Sequence, residues 1–226
     1  MDKGLSLIWG CAFMETSKNG MVAKLIGADS EHVSRFHSRR GVACKPDELL
    51  ALPSLLWARL SGRKMARPWM APRAVEFLER KLARNDVLLE LGSGASTGWY
   101  AKRVGRVVSL EPNAEWARRV SSDLAGEKNA EVRVGAVGDL FSSTLRELRP
   151  TVLIVDHSDE PNLSRPEAIR IAVHDAPWPR IIVLDDSDRA RYSPTAGLLD
   201  GWQKHQFTGF RDSPLRLTET TVFVRQ

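Results

Sequence analysis

The chain has 226 residues, 42% of them hydrophobic and 27% charged, proportions that fit an ordinary globular protein and exclude a disordered, fibrous or repeat-built one. That length suits one α/β domain with an appendage, because a single core of this size stays well buried. A net charge of +5 and a pI near 9.5 would suit an acidic partner, but Arg39-Arg40, Arg63-Lys64 and Arg118-Arg119 are scattered among acids and form no basic stripe, so nucleic acid ranks behind a small molecule.

Cys11 and Cys44 have no CxxC spacing, so neither a zinc site nor a disulfide framework is suggested, and a reducing cytoplasm fits. Residues 5–14 are apolar but too short to span a bilayer, and no small-residue cleavage site follows them, so no membrane association is expected. Residues 1–67 combine weak periodicity with several breakers. Within them Pro46-Asp47-Glu48 opens an apolar segment, 49–60, that Pro53 interrupts. This predicts a helical arm or cap over 1–67, ahead of a domain over 68–226.

Ala74, Val75, Leu78 and Leu82 recur at helical spacing and predict an amphipathic helix over 73–83. Strand-length apolar runs follow at 87–91, 107–110, 132–134, 152–155 and 181–184, with helical stretches between them. Runs of Val, Ile and Leu without alternation belong to strands buried on both faces, hence to a parallel sheet wound by right-handed crossovers. Residues 207–210 and 220–225 are joined by too short a loop for a helical crossover, which predicts an antiparallel pair at the sheet edge. The expected fold class is α/β, a Rossmann-like, mainly parallel sheet with helices on both faces and an antiparallel C-terminal strand pair.

In such a sheet the ligand lies beyond the carboxyl ends of the strands. The first run ends Glu90-Leu91-Gly92-Ser93-Gly94-Ala95-Ser96-Thr97 and enters a helix, a sequence in which glycines let the backbone approach a ligand and the helix start offers N–H donors. Glu111 ends the second run, about 20 residues on, where an acidic side chain reaches ribose hydroxyls in dinucleotide-type folds.

Glu90-Leu-Gly-Ser-Gly94, then Glu111, Gly138-Asp139 after the third strand and Asp156 after the fourth together resemble the class I S-adenosylmethionine-dependent methyltransferases over about residues 68–226. The resemblance implies methyl transfer with S-adenosylmethionine as cofactor. It implies that Gly92 and Gly94 pass close to the methionine part and that Glu90 helps hold its amino-acid portion. Glu111 would take the ribose and Asp139 would lie near adenine, with Ser93, Ser96, Thr97 and Asp156 completing the site. A nicotinamide-dependent oxidoreductase shares this strand–glycine–helix start, but Thr97 stands where its third glycine belongs. A non-catalytic sensor or partner subunit is a further alternative.

Val155-Asp156-His157 and Leu184-Asp185-Asp186 are similar to the catechol-type O-methyltransferases, in which Asp-His and Asp-Asn surround magnesium. This comparison implies a metal site of Asp156, Asp185 and Asp186, with Asp186 replacing that family's Asn and Asp159 replacing its lysine base. Oxygen ligands suit a hard cation, which would hold two acceptor hydroxyls and lower their pKa. Asp185-Asp-Ser-Asp188 reads equally well as a capped loop. His157 and Asp159 are the candidate catalytic bases, although a histidine at a strand end also serves structure. Trp69 is the candidate lid. The expected acceptor is a small polyhydroxylated or aromatic metabolite, methylated on oxygen or nitrogen and selected by residues 1–70 and the loop after Asp186; a homo-oligomer is compatible with the sequence.

Overall fold

The central runs of Val, Ile and Leu have no polar face to turn to water. The computed structural model, which describes residues 34–53, 55, 57, 67–212 and 215–226, buries them on both sides. The strands are β1 (Val87–Leu91), β2 (Arg106–Glu111), β3 (Ala130–Val134), β4 (Val152–Val155), β5 (Ile181–Asp185), β6 (Gln203–Asp212) and β7 (Leu215–Val224), and the described helices are α1 (Pro46–Leu49), α2 (Pro72–Lys81), α3 (Ala95–Ala101), α4 (Ala114–Asp123), α5 (Val137–Leu148), α6 (Arg165–His174) and α7 (Thr195–Leu198). One seven-stranded sheet results, in the order β3-β2-β1-β4-β5-β7-β6. The first five strands pair in parallel, and β7 runs antiparallel to both β5 and β6.

Alternation along each strand splits the core in two. Leu88, Val107, Ile154 and Val183 pack with Leu78 of α2 and Tyr100 of α3, while Leu89, Leu110, Val155 and Leu184 pack with Phe141 of α5 and Ile169 of α6. Each fully buried side chain of this kind contributes about 1.5–3 kcal/mol over its exposed state. Polar caps set the crossover helices: the Asn113 side chain accepts from Glu115 N and Trp116 N, both at 3.0 Å, to open α4, and Ser164 accepts from Glu167 N to open α6.

The helix expected over 73–83 is α2, which stops at Lys81 because Leu82 turns to an extended backbone. The C-terminal pair is longer than its apolar residues announce. Thr218, Glu219, Thr220 and Thr221 are all buried, because β7 lies inside the sheet and its polar side chains serve the acids at the end of β5.

The described part of the N-terminal arm packs on that hairpin. Leu55 joins Phe210 and Leu217, with Cys44, Ala51 and Leu52 against them; Thr208 donates to Glu48 of α1, and Leu217 N donates to Arg35 O at 2.9 Å. The 5–14 stretch, Cys11, Arg63-Lys64 and the end of the expected 49–60 helix lie outside the described residues. Among the described residues, no helix is long and apolar enough to cross a membrane.

Candidate active site at the strand ends

The turn after β1 requires glycine at one position. Gly92 has φ +90°, and a Cβ there would stand 3.3 Å from the Asp156 carbonyl oxygen, so both conformation and space exclude a side chain. Gly94 has an extended backbone with φ 175°, and a Cβ there would meet only Ser96 Oγ at 3.8 Å. It borders an open cleft of about 540 Å³ that Ala95, Gly98 and Trp99 also line.

Beneath this turn, Glu90 takes a different place from the one expected. Its carboxylate accepts from Ser96 Oγ at 2.5 Å, Thr97 Oγ1 at 2.7 Å and the Ser109 hydroxyl. With Glu90 2% exposed and Thr97 fully buried, these side chains fasten the turn from inside. Burial raises the Glu90 pKa to about 7 even though the three hydroxyls lower it. Ser96 likewise spends its hydroxyl on Glu90.

Glu111, at the end of β2, closes a corner with the same turn. Its Oε2 accepts from Ser93 N and Ser93 Oγ, both at 3.0 Å, and its Oε1 from Asn113 N at 3.0 Å. Trp116 Nε1 donates to Ser93 O at 2.8 Å. Asp139 sits exposed in the first turn of α5 and accepts from Asn162 Nδ2 at 2.9 Å. Beside it, Glu160 accepts from Val137 N at 3.0 Å and Gly138 N at 2.9 Å, so the loop after β4 is moored to the start of α5.

Neither candidate base has the surroundings of one. His157 is 2% exposed, its Nε2 lies 3.3 Å from Leu163 O, and burial together with nearby Arg165 pulls its pKa down to about 4. It is a neutral packed residue. Asp159 accepts from Arg165 N at 2.9 Å and Tyr192 OH at 3.0 Å and pairs with Arg191 Nε at 2.8 Å. Burial alone would raise its pKa, yet these donors hold it below the usual carboxylate range, which makes it a weak proton acceptor.

Of the carboxylates at the ends of β4 and β5, Asp156 and Asp186 are partnered by cations of the chain and Asp185 by a threonine hydroxyl. Arg165 is the hub: Nε donates to His157 O and Nη1 to Asp185 O, each at 2.7 Å, and Nη2 reaches Asp156 Oδ1 at 3.2 Å. Asp185 is fully buried, accepts from Thr220 Oγ1 at 2.6 Å, and is pushed well above the ordinary carboxylate pKa by burial and then by Asp156 and Asp186. Asp186, at φ +52°, takes Arg39 Nη1 at 2.9 Å and Thr218 Oγ1 at 3.1 Å on one oxygen and Arg189 Nη2 at 3.0 Å on the other. Burial works against its charge, but Arg211, Arg39 and Arg165 outweigh it and hold the group far below the usual range.

A small hard cation needs several oxygens free to converge around it, and Asp186 is not free: Arg39, Arg189 and Thr218 hold its two oxygens. Arg165 takes one oxygen of Asp156, whereas Asp185 bonds Thr220 through Oδ1 and leaves Oδ2 without a hydrogen-bond partner. Among the described residues, no group of three or more His, Cys, Asp or Glu side chains could hold a metal ion. The three acids of the expected triad are neighbours, and arginines pair with two of them, Asp156 and Asp186.

No family model matches the chain, and no curated protein does. Solved structures do. An O-methyltransferase from Bacillus cereus in complex with SAH aligns over 80% of this chain and 92% of its own, with 18% identity and a TM-score of 0.52. The fold is that of the class I methyltransferases. The O-methyltransferase TomG from Streptomyces achromogenes, in complex with SAM and involved in tomaymycin synthesis, matches at 18% identity over 67% of this chain and 77% of its own, with a TM-score of 0.52. A precorrin-6y C5,15-methyltransferase from Geobacter metallireducens matches at 15% identity over 68% and 87%, with a TM-score of 0.51. The named activities differ, as expected when acceptor choice rests with side chains at the strand ends and in appended segments.

Sequence reasoning missed Arg39, Ser109, Glu160, Arg165 and Thr220. Only the threonines of the tail carried a signal, as polar residues inside an otherwise strand-like run.

Proposed function

We propose that this chain is an S-adenosylmethionine-dependent methyltransferase acting on an oxygen or nitrogen of a small-molecule acceptor. The observation that carries this reading is the corner formed by Gly92, Ser93 and Glu111: a left-handed glycine after β1 beside a carboxylate at the end of β2. A carboxylate there can accept from ribose hydroxyls, and the glycine lets the protein backbone approach a cofactor closely. When bound, the cofactor supplies a sulfonium-activated methyl group. Glu111 holds the ribose by exchanging its bonds to Ser93, Gly92 keeps the turn low, and Glu90 keeps it rigid through Ser96, Thr97 and Ser109. Asp139 and the moored Glu160 loop border the adenine side.

Asp156 takes the acceptor's proton in this reading. Its side chain is 37% exposed at the end of β4, with Arg165 on one oxygen, and burial raises its pKa although Arg165 works against the rise; Asp185 and Asp186 are enclosed. Positioning and charge environment supply the rest of the rate. The described part of the 1–67 arm serves as one wall of the acceptor site, and Trp69, 48% exposed, as its lid.

A small acceptor is favoured over nucleic acid because several arginines are already paired: Arg103 with Glu79, Arg133 with Glu147 and Arg180 with Asp86, each at 2.6 Å. The antiparallel β7 between β5 and β6 and Thr97 at the third glycine position weigh against the nicotinamide alternative. A non-catalytic cofactor-binding protein is the second reading, favoured by the enclosure of His157 and Asp159. Mass spectrometry of the purified protein for co-bound cofactor, followed by a methyl-transfer screen against cell extract, tests both. Cofactor without S-adenosylhomocysteine production selects the second reading, and absence of cofactor binding by calorimetry overturns both.

A further inference from the structure

A sheet that gathers Asp156, Asp185, Asp186 and Asp188 at the ends of two adjacent strands must neutralise them, because like charges at short range in a poorly solvated site repel strongly. One cation shared by Asp186 and Asp188 comes from far away in the chain. His37 and Ala43 form a bridge, Ser38 N donates to Val42 O at 2.9 Å, and Gly41 takes φ +75°, so a short turn carries Arg39 at its tip. Arg39 N donates to Asp188 Oδ2 at 2.7 Å, while Nη1 reaches Asp188 Oδ1 and Asp186 Oδ1, each at 2.9 Å. The pair is closed to water: the Arg39 and Asp186 side chains are each 6% exposed and Asp188 is fully buried. Next to it, Arg40 Nη2 donates to Ser187 O at 2.9 Å.

We propose that Arg39 is this protein's built-in replacement for a divalent cation: its guanidinium neutralises Asp186 and Asp188 and thereby locks the N-terminal segment over the strand ends, so the site forms without magnesium. A planar fork with several donors can satisfy two carboxylates at once where a hydrated metal would have to displace their existing partners. Arg39 is a positioning residue, since it touches only protein groups. The inference deepens the proposed function and rests on it only for what the site is used for.

The test compares the wild type, Arg39→Met, Arg39→Lys and the double variant Arg39→Met/Asp188→Asn by thermal melting. Each is measured in EDTA, in 5 mM magnesium chloride and in sodium chloride of matched ionic strength, concentrations being about those of ordinary metal-binding assays. The wild type should melt at one temperature in all three. Arg39→Met should melt roughly 6–20 °C lower, the cost of taking the shared cation from buried Asp188 and Asp186, the latter keeping Arg189, in a chain of this size. Arg39→Lys should fall between, because a point cation faces one carboxylate at a time. Removing the Asp188 charge should return at least half of the loss, which a mere packing role would not do.

A wild type that magnesium stabilises by several degrees over matched salt overturns the proposal, and so does a double variant no better than Arg39→Met. Should Arg39→Met fail to fold, Arg39→Lys and magnesium calorimetry on the wild type still decide. S-adenosylmethionine binding is read on the same wild-type sample; its absence would strike the proposed function and leave the Arg39 result standing.

Discussion

At the scale of single residues, two buried ionisable groups pull stability in opposite directions. His157 has its pKa lowered to about 4, so its contribution is present above the unfolded value near 6.5 and lost as pH falls toward 4, up to about 3 kcal/mol. Glu90 has its pKa raised to about 7, so its contribution is present below about 4.5 and lost as pH rises through 7, by a similar amount. The two contributions oppose each other across this window, and the raised pKa values of Asp185 and Asp156 act in the same direction as that of Glu90. Relative to the wild type, urea melts from pH 4 to 8 should show His157→Gln losing stability as pH rises and Glu90→Gln gaining it; differences that do not change with pH would remove both shifts. The glycines separate in the same way. Gly92→Ala, forced to φ +90°, should cost about 1–3 kcal/mol of stability. Gly94→Val should leave the melt unchanged and weaken cofactor affinity, as calorimetry would show.

At the scale of elements, helix α2 lies on β6 through one close approach. A Cβ on Gly209 would stand 2.7 Å from Pro72 Cδ, a rigid ring atom at the start of the helix. Gly209→Val should thus push the helix from the strand and cost about 1–3 kcal/mol, read by urea unfolding; an unchanged midpoint would mean that the two elements slide freely. The hairpin explains why the sequence understated it. β6 and β7 are ten residues each, yet β7 spends its inward threonines on Asp185, Asp186 and Ser187. A strand whose partners are polar carries no apolar run to announce its length.

At the scale of the whole molecule, a ligand that binds only the folded chain stabilises all of it. S-adenosylmethionine at a hundred times its dissociation constant should contribute about 2.7 kcal/mol and raise the melting temperature by roughly 5–10 °C. Glu111→Ala should lose most of that shift at the same concentration, measured from its own unliganded melting temperature, which the lost bonds from Ser93 and Asn113 lower; an identical shift would detach Glu111 from the cofactor. The parallel strands, their crossovers and the glycine turn were determined by the sequence alone, because hydrophobic periodicity and glycine placement are local and act over a few residues. Glu111 was legible for the same reason, as the first polar residue after an apolar run. Which acid bonds which partner was decided only by the tertiary structure. Arg39 meets Asp186 across 147 positions of sequence and Thr220 meets Asp185 across 35, and no local pattern records a pairing set by strand order. Charge in an enclosed site is neutralised by whatever group the fold brings nearest. Of the carboxylates that read in sequence as a metal site or a capped loop, Asp156, Asp186 and Asp188 pair with arginines in the folded chain, and Asp185 with a threonine of β7.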